Sequence, residues 1–236
     1  MKNQFFCSAL VLLLIGFQSI EAEDLPEKAE EITDVQPDAQ PDLQPGEAEC
    51  LMGLKCFTDP LPNVSLGFQY FQTAVEKGFV KAYAMLGKCY LTGTGVARNI
   101  RQGIELIRTG AELGDSDAQF TLGLYTNLGW MVVQDHTEGY MWLKKAAEGG
   151  HKDAQCNVAM CYEFGEGVGQ DEKQAFFWYK KAADQGHSYA QYRLGLLYQN
   201  GRGVKKDTNK AALWYKLAAE QGSVDAQKRL EELWWY

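Results

Sequence analysis

The stretch AQYRLGLLYQNGRGVKKDTNKAALWYKLAAEQG, residues 190–222, decides the fold of this chain. Small or apolar side chains at Ala190, Leu194 and Leu197 have the spacing of one helical face. The Asn-Gly-Arg-Gly sequence that follows ends the helix, because glycine adopts the left-handed conformation that a sharp turn needs. Asp207 then offers a side-chain oxygen to the unpaired amide groups at the start of a second helix. The stretch therefore predicts two helices joined by a tight turn.

This pair of helices recurs along the chain with a period of 36 residues. Five alanines keep that interval: Ala82, Ala118, Ala154, Ala190 and Ala226. Five glycines at the ends of the second helices keep it too: Gly78, Gly114, Gly150, Gly186 and Gly222. A fixed period of this length is typical of repeat proteins, whose units stack to form one continuous core.

The content of the repeat matches a known pattern. In residues 154–222, Ala-Gln-Tyr-x-Leu-Gly-x-x-Tyr, Gly-x-Gly-Val, Asp and Trp-Tyr-x-x-Ala-Ala-x-x-Gly resemble the Sel-one-like repeat, a relative of the tetratricopeptide repeat. The resemblance implies an all-α fold, a right-handed α/α superhelical solenoid of helix-turn-helix repeats. It also implies a scaffold that binds a protein or peptide partner on the concave face of the solenoid, rather than an enzyme.

The sequence predicts five segments, which we give in chain order. They are a signal peptide at residues 1–22, a disordered acidic and Pro-rich linker at 23–45, a degenerate capping repeat at 46–81, four Sel-one-like repeats at 82–225, and a C-terminal capping helix at 226–236.

The first segment predicts the location of the protein. Its apolar run, residues 5–17, is too short to span a bilayer and follows Lys2, which favours a cleaved signal peptide over a retained anchor. We therefore expect an exported protein, periplasmic or secreted, without stable membrane insertion after cleavage. A role in the bacterial envelope or in host interaction would suit that location.

Charge is distributed unevenly. Residues 1–49 hold eleven acids and two bases, whereas the rest holds twenty acids and twenty-one bases. The repeats are thus nearly neutral, which argues against nucleic acid as a partner.

Five cysteines follow the predicted cleavage site, so an oxidising compartment would leave at least one without an intramolecular partner. Some secreted members of the resembled family carry a disulfide in every repeat, and this chain departs from that arrangement. The pairings we consider are Cys50 with Cys56, or Cys56 with Cys89.

Candidate partner-binding residues are polar positions that vary between copies of the first helix. They are Gln119, Thr121, Gln155, Asn157, Gln191 and Arg193. These side chains would suit an extended peptide; the alternative is ordinary solvated helix surface.

A second candidate lies in the turn at residues 129–133. The other copies read Gly-x-Gly-Val, but here Trp130 and Met131 enter a turn that is otherwise small and polar. They form either an exposed anchor for a partner or a local repacking of the turn.

Catalytic chemistry has little support in the sequence. His151 and His187 are one repeat apart, and equivalent positions of stacked helices lie about 8–10 Å or more from each other, too far to share a metal ion. We expect no metal, no cofactor and no enzymatic activity. The alternative function is a cell-wall-directed hydrolase or a peptidoglycan-binding protein.

Overall fold

The computed structural model describes residues 43–58 and 62–234, with side chains to residue 233. The predicted signal peptide and nearly all of the predicted acidic linker lie outside these residues, as does the end of the predicted capping helix. The described part contains eleven α-helices and no strands.

The helices alternate between the first and second members of each pair. The first helices are α1 (Glu47–Thr58), α3 (Lys81–Thr92), α5 (Ser116–Leu128), α7 (Lys152–Phe164), α9 (Ser188–Asn200) and α11 (Val224–Trp234). The second helices are α2 (Val64–Glu76), α4 (Ile100–Glu112), α6 (His136–Glu148), α8 (Glu172–Asp184) and α10 (Thr208–Glu220). The predicted all-α fold of helical pairs is confirmed. Within the described ranges, no helix is long and apolar enough to cross a membrane.

The described residues divide into two compact units, with the boundary between Leu106 and Ile107. In the first unit, Phe71, Ala74 and Cys89 are fully buried in one apolar cluster. In the second unit, the core is continuous from α6 to α11.

The periodic residues of the second unit form this core. Ala154 and Ala190 are fully buried. The helices pack closely at these positions, so a side chain larger than alanine would push them apart. Trp178 is buried and Trp214 packs half-buried against the same core, so these aromatic rings stabilise the stack. Burial of apolar surface of this kind is the main driving force for folding.

Aspartates begin the second helices, as their spacing predicted. Asp135, Asp171 and Asp207 each accept hydrogen bonds from amide groups of the first turn. Histidines begin two first helices: the Nδ1 atoms of His151 and His187 accept the amide hydrogen bonds of Ala154 and Ala190, at 3.3 and 3.1 Å. The ring nitrogen therefore takes the place of the usual oxygen acceptor.

The turns between paired helices need glycine for two reasons. Gly167 and Gly203 have φ values of +72° and +68°, in the left-handed region. A Cβ atom at either position would overlap a carbonyl oxygen of the preceding second helix, that of His136 or Glu172. Met131 occupies the equivalent position one repeat earlier and keeps the left-handed conformation, with φ +62°.

Candidate partner-binding face

The predicted glutamines lie inside the array. The Nε2 atoms of Gln119, Gln155 and Gln191 donate to backbone carbonyl oxygens eight residues earlier, at 3.1, 3.2 and 3.3 Å. Gln155 and Gln191 are each only 4% exposed.

The side-chain carbonyl oxygens of two of these glutamines also take part in hydrogen bonds. The Oε1 atoms of Gln155 and Gln191 each accept a hydrogen bond of 2.8 Å from the glutamine at the end of the paired second helix, Gln185 or Gln221. Their expected role in partner binding is therefore wrong: they join successive repeats, because a buried amide must satisfy its hydrogen bonds within the protein.

Thr121 and Asn157 bond to their own helices. The hydroxyl of Thr121 donates to the carbonyl oxygen of Asp117 at 2.7 Å, and the amide of Asn157 donates to that of Asp153 at 2.8 Å. Thr121 is 4% exposed, which also removes it from the candidate set, whereas Asn157 is half-buried.

Arg193 belongs to a charged network. Its guanidinium bonds to the carboxylate of Glu163, which is 2% exposed and also accepts hydrogen bonds from Arg202 at 3.1 Å and Tyr179 at 2.9 Å. Burial raises the pKa of Tyr179 well above its ordinary value, which keeps the hydroxyl protonated and able to donate. Glu163 thus has two cationic partners and is not positioned as a free acid or base.

The Arg193 guanidinium also lies among aromatic rings. Its Cζ atom is 5.6 Å from the centre of the Phe164 ring and 5.7 Å from that of Tyr189. The Arg193 side chain is 13% exposed. Arg193 is therefore held in place by these neighbours, and a small part of its side chain remains accessible to solvent.

The turn at residues 129–133 is half-buried at its three central residues and exposed at both ends. Trp130 packs edge-on against Tyr125, with ring centres 4.6 Å apart, while Met131 is also half-buried. The most exposed residue there is Val133, at 89%. Trp130 thus shows a local repacking, and a role of Trp130 and Met131 in partner binding stays a prediction.

The first helices carry a partly accessible apolar row that the sequence analysis did not identify, and several of its members also pack against the core. Its positions follow the i, i+4, i+8 spacing of one helical face. They are 120, 124 and 128 on α5, 156, 160 and 164 on α7, and 192, 196 and 200 on α9. The half-buried or exposed apolar members are Phe120, Leu128, Met160, Phe164, Tyr192 and Leu196. Phe164 is the most accessible, at 52%. We call these six residues the first-helix row.

Each of the two periodic histidines lies beside a carboxylate of the preceding first helix. The Nε2 atoms of His151 and His187 lie 3.3 Å from the carboxylates of Asp117 and Asp153, on the preceding first helix. In residues 43–58 and 62–234, no three His, Cys, Asp or Glu side chains are grouped to hold a metal ion.

The predicted disulfide is incompatible with the structure. Cys50 and Cys56 lie on the single helix α1, where six residues separate their Cα atoms by about 9 Å along the axis, beyond the roughly 7 Å that a disulfide allows. Cys89 is a free thiol, which also excludes the alternative pairing. Burial raises the pKa of Cys89 and of Cys161 to about 12, so neither is a reactive thiolate near neutral pH.

Stacked helical pairs with buried periodic residues define an α/α solenoid of repeats. The sequence matches the Sel1 repeat at residues 46–79, 80–115, 116–151, 152–187 and 188–223, and the chain therefore belongs to the Sel1 repeat family. No curated protein matches it in sequence.

Solved structures of related proteins resemble it closely. A Sel1 repeat protein from Oxalobacter formigenes is 32% identical, with a TM-score of 0.76 over 80% of this chain and 56% of that one. The protein c5321, a protective antigen in uropathogenic Escherichia coli strains with an SLR fold, is 29% identical, with a TM-score of 0.72 over 78% of this chain and 40% of that one. The chain thus spans about half the length of these two proteins. The immunity protein Pa5087 of Pseudomonas aeruginosa shares the fold at 22% identity, with a TM-score of 0.54 over 86% of this chain and 73% of that one.

Proposed function

We propose that this chain is an exported scaffold that binds a partner protein or peptide on its first-helix row. Sel1 repeat proteins generally mediate protein–protein interactions, and the chain belongs to that family. The signal-peptide pattern of residues 1–22 supports export, to the periplasm or beyond the cell.

The single observation that carries the choice of surface is the environment of Phe164. This aromatic ring is half exposed at the end of α7, next to Met160 and beneath a guanidinium that Glu163 and Tyr189 hold in place. Aromatic and arginine side chains account for much of the binding energy in protein interfaces. Because Arg193 is already fixed, a partner that covers Phe164 would lose little side-chain entropy on binding there.

Affinity capture from the source cell tests this proposal, with residues 23–236 as bait. Phe164→Ser should reduce recovery of the specific partners about tenfold, the usual effect of removing a central aromatic anchor. The thermal midpoint should stay close to that of the unchanged protein, because Phe164 is 52% exposed and is not part of the buried core cluster.

Leu113→Ser is the matched control. Leu113 is 55% exposed and lies just beyond the end of α4, outside the first helices. Equal loss of partners in both variants, or full retention in Phe164→Ser, would remove the first-helix row from the binding site.

A further inference from the structure

Two repeats of the second unit each contain a pair of bonded glutamines. The Nε2 atom of Gln185, just beyond the end of α8, donates to the Oε1 atom of Gln155 at 2.8 Å and to the carbonyl oxygen of Gly150 at 3.1 Å. One repeat later, the Nε2 atom of Gln221 donates to the Oε1 atom of Gln191 at 2.8 Å. In both repeats, a primary amide thus fills the space beside the buried glutamine.

The repeat before them lacks the second glutamine. Its residue at the position of Gln185 is Gly149, which has no side chain. Gln119 nevertheless has the orientation of its equivalent, Gln155. The Nε2 atom of Gln119 donates to the carbonyl oxygen of Ala111 at 3.1 Å, and that of Gln155 donates to the equivalent oxygen eight residues earlier at 3.2 Å. Because a carbonyl oxygen only accepts, the amide nitrogen must face Ala111, and the Oε1 atom of Gln119 points the other way.

The missing side chain leaves an open space. Gln119 is half-buried, whereas Gln155 and Gln191 are only 4% exposed. A Cβ atom at Gly149 would lie 3.3 Å from a carbonyl oxygen of its own helix, and atoms of other elements would lie at 3.9 Å or more, so a side chain fits there. We call the space beside Gly149, between the Oε1 atom of Gln119 and the carbonyl oxygen of Gly114, the amide notch.

We propose that the amide notch binds the carboxamide of an asparagine or glutamine side chain of a partner protein. The next repeat shows the chemistry of the occupant, because the equivalent two oxygens there hold the Nε2 atom of Gln185. A carboxamide carries two N–H donors on one nitrogen, which match two acceptors. A group without N–H donors would displace water from these oxygens and leave them unpaired, so the notch selects against it.

Propionamide, which has the carboxamide end of a glutamine side chain, tests this proposal on the purified, isotope-labelled chain. Its addition should shift the NMR signals of the Gln119 side-chain amide and of the Gly149 backbone amide. N,N-Dimethylpropionamide has no N–H donor. It should bind about tenfold more weakly, the effect of losing two ordinary hydrogen bonds.

Two protein variants sharpen the test. Gly149→Gln should place its own carboxamide in the notch and abolish the binding of propionamide. It should fold normally, because Gly149 has φ −71°, a conformation open to any residue. Gln185→Gly should open an equivalent notch beside Gln155, so this variant should bind propionamide at a second site.

Gly149→Met is the matched control for the first variant. Methionine has about the size of glutamine but no N–H donors. The thermal midpoint of Gly149→Gln should therefore be higher than that of Gly149→Met.

Each of the following results would overturn the proposal. Equal binding of the two amides, or unchanged binding to Gly149→Gln, would mean that propionamide binds elsewhere. Unshifted signals at Gln119 would mean that the notch holds only water. Tighter binding of ethylammonium than of propionamide would assign the notch to a cation, and equal melting of the glutamine and methionine variants would show that no hydrogen bonds form there. These measurements involve no residue of the first-helix row, so they are independent of the binding site proposed above.

Discussion

Two neighbouring repeats, residues 116–151 and 152–187, place different side chains at the same positions of one fold. In the earlier repeat, Asn127 is 4% exposed, and its Oδ1 atom lies 2.5 Å from the Nδ1 atom of His136. Its equivalent in the later repeat is Glu163, which holds two arginines. In the turn that follows, the earlier repeat has Met131 where the later one has Gly167. The comparison shows that the repeat fixes the backbone path, while the contents of each junction can change from neutral to charged.

The largest effect should come from the charged junction. Glu163→Gln should lower the free energy of unfolding by about 3 kcal/mol, because it removes the buried carboxylate that neutralises Arg193. Urea denaturation measures the change. Asn127→Ala, at the equivalent neutral junction, should cost about 1 kcal/mol, the value of an ordinary hydrogen bond. Equal effects of the two substitutions would contradict the difference that we assign to charge.

The close packing of the turns should give the next effect. Gly203→Ala should cost about 2 kcal/mol, because the new Cβ would overlap the carbonyl oxygen of Glu172 in a left-handed backbone. Gly222→Ala is its control, since Gly222 has φ +85° but no atom near a new Cβ. This control should cost about 1 kcal/mol, from backbone conformation alone. If both substitutions lower the free energy of unfolding by the same amount, contact with the Glu172 carbonyl oxygen is not what requires glycine at position 203.

The reverse substitution at the irregular turn should have a smaller effect. Met131→Gly should change the free energy of unfolding by less than about 1 kcal/mol. Glycine relieves the left-handed strain of Met131 but adds freedom to the unfolded chain, and the two effects oppose each other. Chemical denaturation checks the value. A loss as large as that of Gly203→Ala would mean that the Met131 side chain has become essential to its turn.

The smallest effect concerns the buried thiols. Cys161 stands where the earlier repeat has Tyr125, and burial raises its pKa from 9.0 to about 12. A thiol reagent at pH 8 should leave Cys89 and Cys161 unmodified in the native protein and modify both in urea. Because the unfolded thiols ionise first, the stability that these groups contribute should decline as the pH rises from about 9 towards 12. Rapid modification in the native state would contradict the burial that the structure shows.

The sequence predicted much of the fold and little of the site. The helical pairs, turns and aspartate caps followed from the 36-residue period, because these features depend on residues close together in the chain. The assignment of Gln155 and Gln191 to a binding surface failed, although both recur with the same period as the buried alanines. That periodicity was the available signal: a side chain repeated in every copy serves the contact between copies.

The exposed apolar residues could not be assigned from the sequence for a different reason. Phe164 and Phe177 both lie on amphipathic helices rich in apolar residues, and helical spacing alone does not tell which residue faces the core. Which residue faces the core depends on which helices pack against each other. The burial of Arg193 could not be read from the sequence either, because its carboxylate partner Glu163 lies 30 positions earlier in the chain.

By itself, the sequence determined that this chain is a Sel1 repeat array, since a constant period specifies identical units with identical caps and turns. Only the tertiary structure decided which polar residues join the repeats and which apolar residues stay in solvent. The physical reason is that burial and hydrogen bonding across repeats depend on distances between helices, and these distances arise when the units stack.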